Sequence, residues 1–197
     1  VVSKFVGLGQ PAIAGDDVYW TEMRPEEGGR TVIVRRTSNG RTTDVTPPPF
    51  NVRTRVHEYG GGAYTVSGGV VYFSNFIDQR IYRQQAGGWP TPLTPQANLR
   101  YADGIVDRGD DRMVCVREDH TLSEREPINT IVSLDLVNGG AGDILVHGSD
   151  FYSSPRISPD GRWLAWLSWD HPNMPWDGTE LWVSKLVTDS ALGTPTR

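Results

Sequence analysis

The sequence predicts an all-β fold, a β-propeller of four-stranded antiparallel blades. About four blades of a ring of six to eight are present, so the ring is incomplete. Three observations predict this. Apolar and polar residues alternate with period two over many short stretches, and no long segment carries a 3.6-residue period. Strand centres at Ile33, Ile81, Ile131 and Leu181 follow one another at steps of 48, 50 and 50 residues, the spacing of a blade-sized repeat. The run Trp163-Leu164-Ala165-Trp166-Leu167-Ser168-Trp169 is apolar on both alternating faces, as a strand sandwiched between two neighbouring sheets requires.

The elements follow in order. Paired strands are placed at 17–23 and 31–37, 69–75 and 80–84, 112–118 and 130–136, and 163–169 and 181–186. They are rich in Val, Ile, Trp and Tyr and are punctuated by Gly, Pro, Asn and Asp. Before each pair runs a segment of small residues, at 11–14, 61–66, 102–106 and 154–158, assigned as the innermost strand. There Gly60-Gly61-Gly62-Ala63 permits close backbone approach near the axis. After three of the pairs comes a short outer strand, at 42–46, 91–94 and 143–147. Asp44-Val45-Thr46-Pro47 and Pro92-Leu93-Thr94-Pro95 are two versions of its ending. The approximate blades are 11–47, 58–95, 101–148 and 152–197. The fourth repeat shows only three strands, because 187–197 reads as polar and turn-like. An arc of this kind leaves blade faces and edges uncovered, so the natural protein is expected to continue past Arg197, and the arc alone to self-associate.

Composition narrows the function classes. The formal net charge is −5 and the longest basic run is Arg35-Arg36, which gives no footprint for nucleic acid. Cys115 is the single cysteine, so an intrachain disulfide is excluded and a reducing, cytoplasmic setting is expected. The longest apolar run, 163–167, is far too short for a membrane-spanning helix, and no membrane partner is expected. The first residues carry no signal-peptide pattern and no initiator Met, so the chain reads as a processed product or a fragment.

Three segments carry a family resemblance. They are Arg55-Val56-His57-Glu58-Tyr59-Gly60-Gly61-Gly62; Arg117-Glu118-Asp119-His120 with Glu126-Pro127-Ile128-Asn129; and Ser158-Pro159-Asp160-Gly161-Arg162 followed by Trp169-Asp170-His171-Pro172-Asn173-Met174-Pro175-Trp176-Asp177 and Glu180-Leu181-Trp182. Together they resemble the N-terminal propeller of the prolyl oligopeptidase family of serine peptidases, in its acylaminoacyl-peptidase or dipeptidyl-aminopeptidase-like branch. The Ser-Pro-Asp-Gly-Arg piece also recurs in TolB-like propellers and marks fold alone. The resemblance implies an α/β-hydrolase domain following in the same protein, which holds the Ser, Asp and His of the triad. The propeller would admit short peptides and exclude folded proteins.

A direct search for chemistry agrees that this chain alone is not the catalytic part. It has no Gly-x-Ser-x-Gly elbow and no βαβ alternation. His57-Glu58 opens like a zinc-protease motif, but Gly61 stands where the second His is needed. Gly60-Gly61-Gly62 lacks the Lys-Ser/Thr of a phosphate loop. No metal and no cofactor is expected.

If loops at equivalent blade positions gather on one face, they line a cavity toward the hydrolase domain. The candidate substrate-binding residues are then His57, Glu58 and Tyr59, Asp119 and His120, and Trp169, Asp170, Met174 and Trp176. A carboxylate there can hold a free peptide amine, and Trp and Met can receive apolar side chains. The plainer alternative makes these charges solvated or bonded within a blade, as Glu126 and Glu180 are assigned, and makes the tryptophans packing between blades. Two other classes stay open: a stand-alone TolB-like binding scaffold, and a glycosidase using a facing pair among Glu58, Asp119 and Asp170.

Overall fold

The computed structural model describes residues 5–107, 109, 111–188 and 191–197. Among them sixteen strands form four antiparallel four-stranded sheets, each in simple sequence order. Blade 1 contains β1 (Gly7–Ala14), β2 (Asp17–Arg24), β3 (Arg30–Arg36) and β4 (Thr42–Asp44). Blade 2 contains β5 (Tyr64–Ser67), β6 (Val70–Ser74), β7 (Ile81–Gln85) and β8 (Thr91–Pro92). Blade 3 contains β9 (Leu99–Asp107), β10 (Arg112–Asp119), β11 (Ile128–Asp135) and β12 (Asp143–Val146). Blade 4 contains β13 (Phe151–Ile157), β14 (Trp163–Trp169), β15 (Glu180–Thr188) and β16 (Ala191–Leu192). One 3₁₀ turn, Pro25–Glu27, interrupts the β2–β3 connection. The sheets stack in sequence through their inner strands and do not close into a ring.

The repeat is exact at the level of register. Ile33 pairs with Thr21, Ile81 with Ser74, Ile131 with Val116 and Leu181 with Leu167, all between the third and second strands. In blades 1, 3 and 4 the same row continues to Gly9, Ala102 and Ser153 on the inner strand. The repeated Val-Thr-Pro and Leu-Thr-Pro endings have one job. The buried hydroxyls of Thr46 and Thr94 accept the N–H groups of Ile33 and Ile81, and Val45 and Leu93 donate to the carbonyls of the same two residues.

The core lies between blades rather than within one. Tyr19, Ile33 and Val52 meet Val71, Phe73 and Tyr82 between blades 1 and 2. Met113 and Cys115 of β10 point to Ile81 and Leu93 of blade 2, whereas Val114 and Val116 point to Leu164 and Trp166 of blade 4. That is why β10 is apolar on both faces: alternate side chains serve different neighbours, each buried aliphatic contributing on the order of 2 kcal/mol.

The structure corrects three expectations. Blade 4 is complete, because β16 pairs with β15 through Leu186–Leu192 and Thr188–Ala191; two residues are too short a run to leave a period-two pattern. The strand Trp163–Trp169 is not buried on both faces. Leu164, Trp166 and Ser168 are buried, but Trp163 is 47% exposed, and register-equivalent Leu181 is 62% exposed, since no sheet covers that side. Gly61 and Gly62 precede β5 rather than lying in it. The close approach they permit is real: a Cβ on Gly62 would sit 2.8 Å from Asp103 Oδ1.

That approach is part of a seam along the axis. Gln10, Asp103 and Ser154 occupy equivalent inner-strand bulges with φ of 49°, 57° and 53°. Gln10 of blade 1 brackets blade 2, accepting from Ala63 N–H and donating to Gly61 O, each at 3.1 Å. Asp103 of blade 3 accepts from Gly62 N–H at 2.5 Å and from Ser154 N–H at 2.9 Å, and its own N–H donates to Gly62 O. Asp103→Ala should therefore cost about 2–4 kcal/mol, because two inner-strand donors lose a charged acceptor. Gly62→Ala should also destabilise, by displacing that carboxylate. Urea unfolding checks both, and a change within about 0.5 kcal/mol for either would show that the seam does not hold the blades.

Candidate functional site

One cleft of about 680 Å³ opens on the face where the predicted loops gather. Its wall comes from three blades: His57 and Glu58 ahead of β5; Glu118, His120, Glu124, Arg125, Glu126, Pro127 and Asn129 around the β10–β11 loop; and Asp150, Phe151 and His171 at the ends of β13 and β14. Five carboxylates and one guanidinium make the lining acidic.

At its base lies Glu118, 2% exposed. Its Oε1 accepts the backbone N–H of His57 at 2.9 Å. Its Oε2 lies 2.9 Å from His120 Nε2 and takes Arg100 Nη1 at 3.3 Å. Arg100, directly across from Glu118 in the β9–β10 register, also donates to the carbonyl of Arg55 at 3.0 Å and to Glu58 Oε1 at 2.5 Å. That bond to Arg100 holds the Glu58 carboxyl below the usual carboxylate range, so Glu58 stays ionised while its side chain remains 77% exposed at the cleft mouth.

The turn carrying His57 and Glu58 has left-handed φ at both residues, 55° and 64°. This is a costly conformation for non-glycine residues, and the bonds from blade 3 keep it in place. The His57 ring packs against Tyr59, Phe151 and Trp169, with centroids 5.3–5.6 Å apart. Its Nε2 is buried without a hydrogen-bond partner among the described residues. Burial lowers the imidazole pKa, and the opposing effects of Glu118 and Asp103 are smaller. His57 is thus a neutral aromatic wall rather than a cation.

The sequence-predicted residues divide clearly. His57, Glu58 and His120 line the cleft. Trp169 is buried beneath it, stacked on Phe151, and packs rather than facing the opening. Asp170 accepts the Asp150 N–H at 2.6 Å and so fixes the Asp150–His171 pair. Tyr59 lines a separate depression toward blade 1, with Gln10, Thr21 and Met23. Asp119 closes a local turn with the Thr121 N–H and hydroxyl. Met174 and Trp176 lie on the β14–β15 loop outside the cleft lining, with Trp176 76% exposed. Of the three carboxylates considered for a glycosidase pair, only Glu58 lines the cleft. Sequence reasoning missed Arg100, Asp150 and Phe151; Glu118 and His171 lie in the loop clusters it expected to face the cavity, though outside its chosen substrate-binding set. No sequence signal marked Arg100, whose charge is matched by Glu118 only across the strand register. Among the described residues no cluster of His, Cys, Asp and Glu has the geometry to hold a metal, and none of their helices is long and apolar enough to cross a membrane.

The fold is that of a TolB-like propeller: solved TolB-type structures from Acinetobacter baumannii and Agrobacterium tumefaciens match with TM-scores of 0.62 and 0.65 at 14% and 16% identity. Closer in sequence is a puromycin-hydrolyzing peptidase of Mycobacterium tuberculosis, 40% identical with a TM-score of 0.87, matched over 100% of this chain and 32% of that one. A puromycin hydrolase matches at 33% identity and a TM-score of 0.89, over 99% of this chain and 33% of its own, and a mutant of puromycin hydrolase was solved in complex with PGG. Neither a family model nor a curated protein sequence matches. The chain spans about a third of the length of these peptidases and corresponds to the propeller part of the prolyl oligopeptidase family.

The half-buried, neutral His57 sets a pH dependence. Its folded pKa lies below the unfolded value, so its contribution to stability is complete above about pH 6.5 and is lost as pH falls through the folded pKa. Thermal melts between pH 7.5 and 5 should show falling stability that His57→Gln flattens; an identical slope in the variant would show that the ring is solvated.

Proposed function

We propose that this chain is the non-catalytic, substrate-access portion of a serine peptidase that cleaves short peptides. Its partner is an α/β-hydrolase domain of the same protein, seated over the loop face, and the propeller blades beyond the four here bring the ring to six to eight. The whole enzyme would transfer the peptide acyl group to a Ser of the hydrolase domain and then to water, with backbone amides holding the oxyanion. This chain would contribute selection rather than the nucleophile. A cytoplasmic setting, resting on the single cysteine, belongs to the same proposal.

The observation that carries the reading is the cleft. An ionised carboxylate, Glu58, stands at the mouth of an acidic recess walled by His57, Phe151 and His171. A free peptide amine there gains a charge-assisted hydrogen bond, and an apolar first side chain finds aromatic surface. Glu118 is buried and already engaged by the His57 N–H, Arg100 and His120, whereas Glu58 is exposed and held ionised by Arg100, which favours it as the acceptor among the lining carboxylates. A TolB-like binding scaffold is the second reading, supported by the neighbours of that type, and it requires no preference for a peptide amine.

Titration of the chain with an Ala-initiated tripeptide and its N-acetyl counterpart checks this. At least a tenfold preference for the free amine, about 1.4 kcal/mol, is expected; equal affinity would sink the reading. The chain alone should not turn over a chromogenic peptide amide, and turnover blocked by a serine-directed inhibitor would place the nucleophile here instead. Phe5, Leu8 and Ile13 at one end and Leu181 and Val187 at the other are exposed apolar residues, so light scattering should show mass rising with concentration. A strict monomer at every dilution would count against self-association.

A further inference from the structure

The cleft's polar base raises a question that amine recognition alone does not answer: why the Glu58 carboxylate, on an exposed turn of blade 2, is bonded to blade 3 at all. Four contacts converge there. The Glu118 carboxylate takes the His57 N–H and Arg100. Arg100 in turn donates to the Arg55 carbonyl and to the Glu58 carboxylate. Inside the turn, Glu58 N–H donates to Arg55 O and Gly60 N–H to Val56 O, so the turn is a closed unit with two left-handed residues and one exposed carboxylate. Outside the turn, the Arg55 N–H donates to Gln79 Oε1 of the same blade, whereas the Arg55 carbonyl, the His57 N–H and the Glu58 carboxylate all lead to the Arg100–Glu118 pair of blade 3, and Glu118 is itself held by His120, 3% exposed.

We propose that Glu118 is a positioning residue: its buried carboxylate on blade 3 fixes the 55–58 turn of blade 2 through the His57 amide and, through Arg100, aims the Glu58 carboxylate into the cleft. The consequence for peptide binding rests on the proposed role of Glu58; the fixing of the turn does not. Loss of Glu118 leaves the His57 N–H without an acceptor and frees Arg100 to swing with Glu58. The left-handed turn then relaxes, and the His57 ring moves out from Phe151 and Trp169 into water.

Glu118→Leu, which keeps volume and removes the acceptor, tests this with two readouts. The first is the His57 ring titration followed by NMR in the unliganded chain. The charged groups facing this ring are Glu118 and Asp103, and both raise its pKa against burial. If Glu118 only adds charge, its removal drives the His57 pKa lower still. If it positions the turn, the freed ring titrates upward toward about 6.5. The second readout is the preference for the free-amine tripeptide over its acetylated counterpart, expected to fall at least tenfold. A lower His57 pKa overturns the positioning of the turn, and an unchanged preference overturns the aiming of Glu58. If the parent chain shows no preference for the amine, the functional reading fails and the His57 titration alone judges the positioning. If the variant does not fold, amide exchange in the parent chain decides: the His57 N–H should exchange with the slow core amides, and exchange at the rate of open loops would overturn the inference.

Discussion

The structure depends on a single carboxylate at the axis. Inner strands converge there, and each carries backbone groups that its own blade cannot pair on the side facing its neighbours. Asp103 meets that demand for three blades at once, taking an N–H from Gly62 of blade 2 and another from Ser154 of blade 4 while its own strand belongs to blade 3. An ionised acceptor with two backbone donors is a stronger tie than a neutral one. It works only because Gly62 leaves no Cβ in its way. Gln10 does for blades 1 and 2, with an amide, what Asp103 does for the next two joints.

The same seam explains where chemistry can sit. Side chains between blades are committed to packing, as the alternating Met113, Val114, Cys115 and Val116 show. Burial pushes the Cys115 thiol up to about 12, which leaves it an inert core residue. The freedom to place polar groups lies at the strand ends, where the entry to an inner strand meets the loop after the second strand of the next blade. There the turn at His57 and Glu58 from blade 2 meets Glu118 and His120 of blade 3 and Phe151 and His171 of blade 4. A cleft shared by three blades exists because the axial bonds hold those blades in one register.

How much of this was legible follows from which interactions are local. The 48–50-residue period was readable because each blade places an apolar residue at the same position of its third strand, buried at Ile33, Ile81 and Ile131 though exposed at Leu181, and the Thr-Pro endings recur because two blades close in the same way. The bulges left a signal that the strand patterns did not use. Gln10 precedes Pro11, Asp103 precedes Gly104 and Ser154 precedes Pro155, and residues unable or unsuited to continue a regular ladder mark such sites. The β9 start at Leu99 was missed because Arg100 breaks the apolar pattern. Its charge is matched only across the strand by Glu118, a pairing invisible until the register is known. Met174 and Trp176 drew attention by residue type, yet they sit on a loop whose direction no local pattern sets.

The Glu118 network is better explained by position than by stability. A buried carboxylate loses hydration, and even with three donors it need not stabilise a fold more than a well-packed apolar side chain of similar volume would. Blade 3 already has a continuous apolar interior on both sides of β10, from Met113 to Val116, so its packing does not depend on a carboxylate at 118. What an aliphatic residue could not do is hold a left-handed turn of another blade by its amide and, through a guanidinium, set the direction of an exposed carboxylate. The cost of burying Glu118 is therefore matched by geometry at the cleft mouth. The same geometry would separate a peptide with a free amine from one without it, because the acceptor is aimed before the ligand arrives and little ordering remains to oppose binding.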